Sequence, residues 1–326
     1  MKHGGDLGEA AVHYGGEPEE WLDLSTGINP HFWAVGKLPS SVWQCLPRQR
    51  ELEALNKAAR IAYHVPDNLG ICAAPGTEAI LSRLPQILSS GAVAVVSPTY
   101  SSHSDAWRND GRTVHPLDPG SQIPADCRIG VIVNPNNPDG QVLSVDYLLQ
   151  MAEQLAQRNG SLIVDEAFCD VAPTSSIIPH IDQLPILVLR SFGKFFGLAG
   201  LRLGFLIGSQ SVAQTLERQL GGWAISGPAL QIGIAALSSL DWQIRMRQQL
   251  KKEADELDTL FHSRNLAVAG GTDLFRLIDS QHAQEIHKSL AERHIWTRIF
   301  DYNKKWIRFG LPGSNENFER LANALS

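Results

Sequence analysis

The stretch SFGKFFGLAGLRLG, Ser191 to Gly204, sets one lysine, Lys194, and one arginine, Arg202, among apolar residues and glycines. A charge in such surroundings is costly unless an opposite charge meets it. The stretch therefore asks for an anion. Two apolar runs flank or overlap it, ILVLRS (186–191) and LGFLIG (203–208), each with the length and content of a buried strand. Lys194 accordingly falls just past a strand end.

Similar runs recur upstream as AVAVVS (92–97), IGVIVN (129–134) and SLIVD (161–165). Between the last two, Leu148, Met151 and Leu155 repeat at helical spacing, Ser144 is placed to cap and Asn159-Gly160 to stop. Strand, helix, strand predicts an α/β fold with a mostly parallel central sheet flanked by helices. Past residue 227, Met246, Leu250, Ala254, Leu257 and Phe261 form the apolar stripe of a long helix, opposite Lys251, Lys252, Glu253, Asp255 and Glu256. LFRLI and WIRFG then read as short strands of a smaller α+β domain. Residues 1–45, rich in Gly, Pro and Trp, read as an extended arm joining that domain. The expected organisation is 1–45 arm, 46–227 large domain and 228–326 small domain.

The 326 residues are 43% hydrophobic and 19% charged, a soluble globular composition with room for more than one domain. A net charge of −6 and no Lys/Arg run argue against a nucleic-acid partner. Four scattered cysteines form no CxxC pair or Cys/His cluster, so neither a metal site nor a disulfide framework is expected. MKHGGDLGEA lacks the apolar core of a signal peptide, and FFGLAGLRLGFLIG is too short to span a bilayer. The expectation is a cytoplasmic chain with no membrane partner.

Ligands of open α/β sheets sit outside the carboxyl ends of the strands. Four such ends are polar here: Ser97 to Tyr100, Asn134 to Asn137, Asp165-Glu166, and Ser191 to Lys194. Singly each has a plain explanation, such as a helix cap for Asp165 or a snorkelling amine for Lys194. Together they match the needs of pyridoxal 5'-phosphate (PLP). A lysine at a strand end can form a Schiff base with an aldehyde cofactor. Gly76 and Thr77 in PGTEAI, with Ser191 and Arg202, suit its phosphate. Asp165 suits the ring nitrogen, Tyr100 the ring face and Asn137 the phenolic oxygen. No GxxxxGK[ST] or GxGxxG supports a nucleotide instead.

SFGKFFGLAGLRLG closely resembles the lysine signature of the fold-type I, aminotransferase-like PLP enzymes. PGTEAI, SPTY, NPNNPDG and VDEAF match that family in the same order, from about residue 20 to the C-terminus. IRFGLPG (307–313) resembles its segment for the substrate-carboxylate arginine, here Arg308. The resemblance implies the fold-type I PLP-dependent transferase fold, a cofactor carried by Lys194, and a homodimer with active sites near the subunit interface. It also matches Tyr63 to a tyrosine that reaches the partner's cofactor phosphate, with a core tyrosine as the open alternative.

WLDLSTGINP (21–30), preceded by HGG (3–5), resembles the branch that decarboxylates O-phospho-L-threonine for cobalamin assembly. An aminotransferase, such as one for histidinol phosphate, is the alternative, and a catalytically silent PLP-fold protein a third. For a phosphorylated substrate, Arg298 is the candidate phosphate ligand, with His3 and Asn29 as further substrate contacts; a surface ion pair for Arg298 and a disordered terminus for His3 stay open. Two departures stand out: Phe168 where many relatives carry tyrosine, and Asp139 where threonine is common.

Overall fold

The computed structural model describes residues 4–181 and 183–326. In chain order its strands are β1 (Leu22–Asp23), β2 (Gly70–Ala74), β3 (Ala92–Val96), β4 (Val114–Leu117), β5 (Cys127–Val133), β6 (Ser161–Asp165), β7 (Ile186–Ser191), β8 (Gly204–Gly208), β9 (Ala267–Thr272), β10 (Phe275–Asp279), β11 (Ile295–Trp296), β12 (Arg298–Phe300) and β13 (Asn303–Gly310). The chain divides into a larger unit, residues 33–137 with 141–242, and a smaller one, residues up to 32 with 138–140 and 243–326.

In the larger unit a seven-stranded sheet runs β2-β8-β7-β6-β5-β3-β4. β4, β3, β5, β6 and β7 pair in parallel, while β8 and β2 join antiparallel. All five apolar runs are strands, and they are apolar throughout because both faces are covered. Val93, Val95, Ile129, Val131, Ile163, Leu187, Leu189 and Leu206 are buried with Trp107, each aliphatic contributing about 1.5–3 kcal/mol. Helix Val145–Ala156 starts where Ser144 Oγ accepts the Tyr147 N–H at 3.2 Å, and its stripe Leu148, Met151 and Leu155 is buried. Asn159, at φ 53, turns the chain out of it.

Register decides where the polar ends meet. Val133 lies opposite Asp165, Asp165 opposite Leu189, Ser191 opposite Gly204, and Gly204 opposite Ala74. The segments leaving β5, β6 and β7, and the turn after β2, therefore emerge from one edge. Just inside it, buried Arg190 donates to Glu166 Oε2 at 2.7 Å and to Asp170 Oδ1 at 2.8 Å. Burial pushes the Glu166 carboxyl up, and Arg190 opposes that shift. Tyr63, only 4% exposed, lies under the Arg190 guanidinium at 4.3 Å and edge-on to Phe205. This is a core tyrosine of its own chain. Its surroundings match the core-tyrosine alternative.

In the smaller unit an antiparallel sheet runs β12-β13-β10-β9, and helix Leu240–Ser263 buries Met246, Leu250, Ala254, Leu257 and Phe261. The N-terminal segment is more than an extended arm. It forms helix α1 (Leu7–Tyr14), capped by Asp6, and β1 pairs in parallel with β11. Ala10, Trp21, Ala291 and Trp296 make a local core there. Residues 33–45 and 228–242 group with the larger unit, where helix Gly227–Leu237 packs on helices Ser41–Gln44 and Gln49–Ala62.

Among the described residues no helix is long and apolar enough to cross a membrane. One juxtaposition was hidden by sequence spacing: His115, Asp126 and Cys127 come within 4.8 Å of one another, with an ion pair between His115 and Asp126 at 3.1 Å. Parallel β3 holds β4 and β5 on either side, so this Cys/His grouping forms at strand ends that the chain separates.

Candidate active site

Asp165 closes β6 and is 4% exposed. Its Oδ1 accepts the Ala167 N–H at 2.9 Å, and its Oδ2 lies 2.8 Å from His103 Nε2. An ionised carboxylate only accepts, so against it Nε2 is the donor. His103 is buried, and its Nδ1 has no partner among the described residues. Sequence reasoning missed His103. The available signal was its position three residues past Tyr100, in the first turn of helix Ser102–Asn109 at the same strand end.

The turn after β2 meets the β7–β8 connection. Gly76 has φ +84, and a Cβ there would stand 2.7 Å from Arg202 Nη2. A Cβ on Gly204, the register partner of Ser191, would stand 2.9 Å from the Thr77 nitrogen. Backbone N–H groups, two hydroxyl-bearing residues and an exposed guanidinium are thus gathered from three separate stretches. That is the donor set a phosphate requires.

Lys194 is half-buried on the short helix Phe192–Phe195, with Nζ 5.8 Å from the centroid of the buried Phe168 ring. Where many relatives of this type would offer a tyrosine, this chain turns an aromatic face toward the amine. Tyr100, half-buried, donates to Glu78 Oε1 at 2.7 Å, and burial pushes its phenol up to about 12. Asn137 is half-buried in the loop after β5. Thr99 Oγ1 donates to Asn136 Oδ1 at 2.7 Å and Asn136 Nδ2 to the Pro98 carbonyl at 3.0 Å, tying that loop to the SPTY segment.

The smaller unit holds the expected substrate residues. Arg298 on β12 and Arg308 on β13 are register partners. Like charges directly across a sheet repel. Arg308 is 6% exposed, donates from Nη2 to the Ser25 carbonyl at 2.9 Å and lies 4.9 Å from the Phe275 ring. Burial, and then Arg298, holds its guanidinium down to about 10, so it stays charged at neutral pH. Burial pushes Arg298 in the same direction. Asn29 is 2% exposed, and its Oδ1 accepts the His31 N–H at 2.8 Å. His3 lies outside the described residues.

Residues 45–325 match the model of the aminotransferase class I and II family, and the chain belongs to that family. More particularly, it is 39% identical to a threonine-phosphate decarboxylase of Sinorhizobium sp, over 99% of this chain and 97% of the relative. It is 37% identical to the threonine-phosphate decarboxylase of Pseudomonas aeruginosa, over 100% of this chain and 97% of that one. A histidinol-phosphate aminotransferase of Archaeoglobus fulgidus is 30% identical over 72% of this chain and 70% of its own. Two solved structures share the fold. Histidinol-phosphate aminotransferase from Sinorhizobium meliloti, in complex with pyridoxal-5'-phosphate, has TM-score 0.80 at 19% identity and covers 98% of this chain and 93% of that one. L-threonine-O-3-phosphate decarboxylase from Porphyromonas gingivalis has TM-score 0.73 at 19% identity, covering 93% and 97%.

The cofactor of this family is PLP, and the residues of the larger unit fit it. The pairing of buried Asp165 with His103 leaves a carboxylate at a strand end suited to a protonated ring nitrogen. The Gly76 turn, at φ +84, favours a residue without a side chain and sets bare backbone beside the Arg202 guanidinium, which suits a phosphate cradle. When bound, PLP supplies an electron sink for a bond broken at the substrate Cα. Asp165 would hold the ring nitrogen's proton, with His103 orienting the carboxylate. Gly76, Thr77, Ser191 and Arg202 would hold the phosphate, and Lys194 Nζ would bind the aldehyde.

Proposed function

We propose that this chain is a PLP-dependent carbon–carbon lyase that decarboxylates O-phospho-L-threonine to (R)-1-amino-2-propanol O-2-phosphate, a step of cobalamin assembly. The observation that carries the reading is the cross-strand pair Arg298 and Arg308. Two arginines at facing positions of adjacent strands favour a ligand with two anionic groups, and a phosphorylated amino acid has them. Arg308, oriented by the Ser25 carbonyl and Phe275, takes the carboxylate, and Arg298 takes the phosphate. Asn29 is a further substrate contact from the same unit. His3 remains the candidate from the N-terminal segment.

Arg308 would hold the carboxylate so that the bond from Cα to the carboxyl carbon is the one broken, with CO2 as the product and the electron sink supplied by bound PLP. Lys194 Nζ would hold the proton that Cα takes up in place of CO2. The similarity over the whole chain to two threonine-phosphate decarboxylases favours this outcome over amino transfer. Amino transfer on histidinol phosphate is the second reading, favoured by the 30% identity to the Archaeoglobus fulgidus enzyme. Proton NMR of the products separates the two. Aminopropanol phosphate from O-phospho-L-threonine supports the lyase, and glutamate from histidinol phosphate plus 2-oxoglutarate supports the transferase.

The enzyme works as a cytoplasmic homodimer in this reading. Trp43, Leu46 and Trp223 of the larger unit are 68%, 65% and 66% exposed. Apolar surface of that kind is suited to cover by a second copy. Sedimentation of the holoprotein at twice the chain mass is the expected result, and a monomer at micromolar concentration would contradict it.

A further inference from the structure

Gly4 and Gly5 lie against Ser25, whose carbonyl receives Arg308. The Gly5 N–H donates to Ser25 Oγ at 2.8 Å, and Ser25 Oγ donates to Asp23 Oδ1 at 2.6 Å. The Ser25 N–H donates to the same Asp23 oxygen at 2.8 Å. Ser25 is fully buried. A Cβ on Gly4 would stand 2.5 Å from the Ser25 carbonyl oxygen and 3.0 Å from Oγ. On the β13 side, the Gly310 N–H donates to the Leu24 carbonyl at 2.7 Å, and a Cβ on Gly310 would stand 2.5 Å from the Thr26 carbonyl. Two of the close approaches of the Leu24–Thr26 segment are thus made at glycines, because only bare backbone comes this close.

We propose that Ser25 is a positioning residue that couples the seating of the N-terminal strap to the orientation of Arg308. Its one hydroxyl proton goes to Asp23, which leaves an Oγ lone pair facing the Gly5 N–H. Its carbonyl, one bond network away, sets a guanidinium nitrogen of Arg308. Asp23 adds to the link, since its charge supports the protonated state of Arg308 while its carboxylate fixes both Ser25 donors. The strap cannot slacken at its other end. Asp6 caps α1 directly after Gly5, with Oδ1 accepting the Glu9 N–H at 3.1 Å, and Ala10 of α1 is buried. Displacing Gly4–Gly5 therefore removes an acceptor's partner from Ser25 and shifts the carbonyl that aims Arg308. The inference rests on Arg308 as the carboxylate ligand of the proposed reaction.

Gly4→Ala in the PLP-loaded full chain is the test, because its methyl group strikes the Ser25 carbonyl without altering Ser25 or Arg308. Amide exchange at Gly5 and the first turn of α1 should speed up by about fivefold or more. KM for O-phospho-L-threonine should rise about fivefold or more with kcat held within about twofold, and cofactor absorbance unchanged. Ser25→Ala should move exchange and KM the same way; if it does not fold, Gly4→Ala still decides. Arg308→Lys serves as the control on the underlying reading. If it raises KM while Gly4→Ala changes neither exchange nor KM, the coupling is overturned and the role of Arg308 stands. If Arg308→Lys leaves KM unchanged, both are overturned.

Discussion

His103 Nε2 stands 2.8 Å from Asp165 Oδ2, and the two side chains are 1% and 6% exposed. Such a pair fixes which way the carboxylate points in a place where water cannot stand in for a missing donor. Asp165→Asn should cut kcat by about 100-fold or more, because the charge opposite the ring nitrogen is lost. His103→Ala should cost about 10- to 100-fold, the range over which orienting partners of bound groups act. Steady-state kinetics alongside cofactor absorbance check both. A His103 variant with unchanged kcat and spectrum would make the contact purely structural.

Lys194 is the expected point of attachment, with its amine 5.8 Å from the Phe168 ring. Borohydride treatment of the holoprotein should fix the cofactor's mass on the peptide containing Lys194 and bleach the yellow colour. Lys194→Ala should acquire no fixed cofactor and no turnover. Label on another lysine would remove Lys194 from this role.

The two arginines should separate by substrate. Arg298→Ala is expected to raise KM for O-phospho-L-threonine by about tenfold or more, as loss of a charge-assisted contact predicts, and to change that for unphosphorylated threonine little. Arg308→Ala should damage both. Equal effects of Arg298→Ala on the two substrates would contradict its assignment to the phosphate.

Much of the fold was readable in the sequence because β5, β6 and β7 are buried on both faces and so spell continuous apolar runs. The Ser144 cap and the stripe of the long helix were readable for the same local reasons. What local pattern could not convey was register and direction. The antiparallel turn of β8 into the sheet, and the placement of Arg298 opposite Arg308, depend on hairpin geometry. His103 escaped notice because its partner, Asp165, is 62 residues away. Helix α1 was read as extended arm because its hold on the fold is tertiary, through Ala10 near Trp21 and Trp296. The burial of Tyr63 under Arg190 was likewise not legible, because the two residues are far apart in the chain.

His287 gives a stability prediction with a definite sign. It is buried, its Nδ1 lies 2.7 Å from Thr297 Oγ1, and burial lowers it from 6.5 to about 4. Between those values the folded state binds fewer protons than the unfolded one, so stability rises with pH. This contribution is complete above about pH 6.5 and is lost as pH falls toward 4. Unfolding free energies from urea titrations should therefore fall more steeply with acid for the natural chain than for His287→Leu, by up to about 1.4 kcal/mol per pH unit. Parallel slopes would contradict a buried neutral imidazole.

The most direct measurement mixes the PLP-loaded protein with O-phospho-L-threonine carrying 13C in its carboxyl carbon, with no 2-oxo acid present, and follows labelled CO2. One CO2 per aminopropanol phosphate, over many turnovers, is the expected result. Retention of the label in the amino acid, together with amino transfer from histidinol phosphate to 2-oxoglutarate, would contradict the proposed reaction while leaving the fold and cofactor site in place.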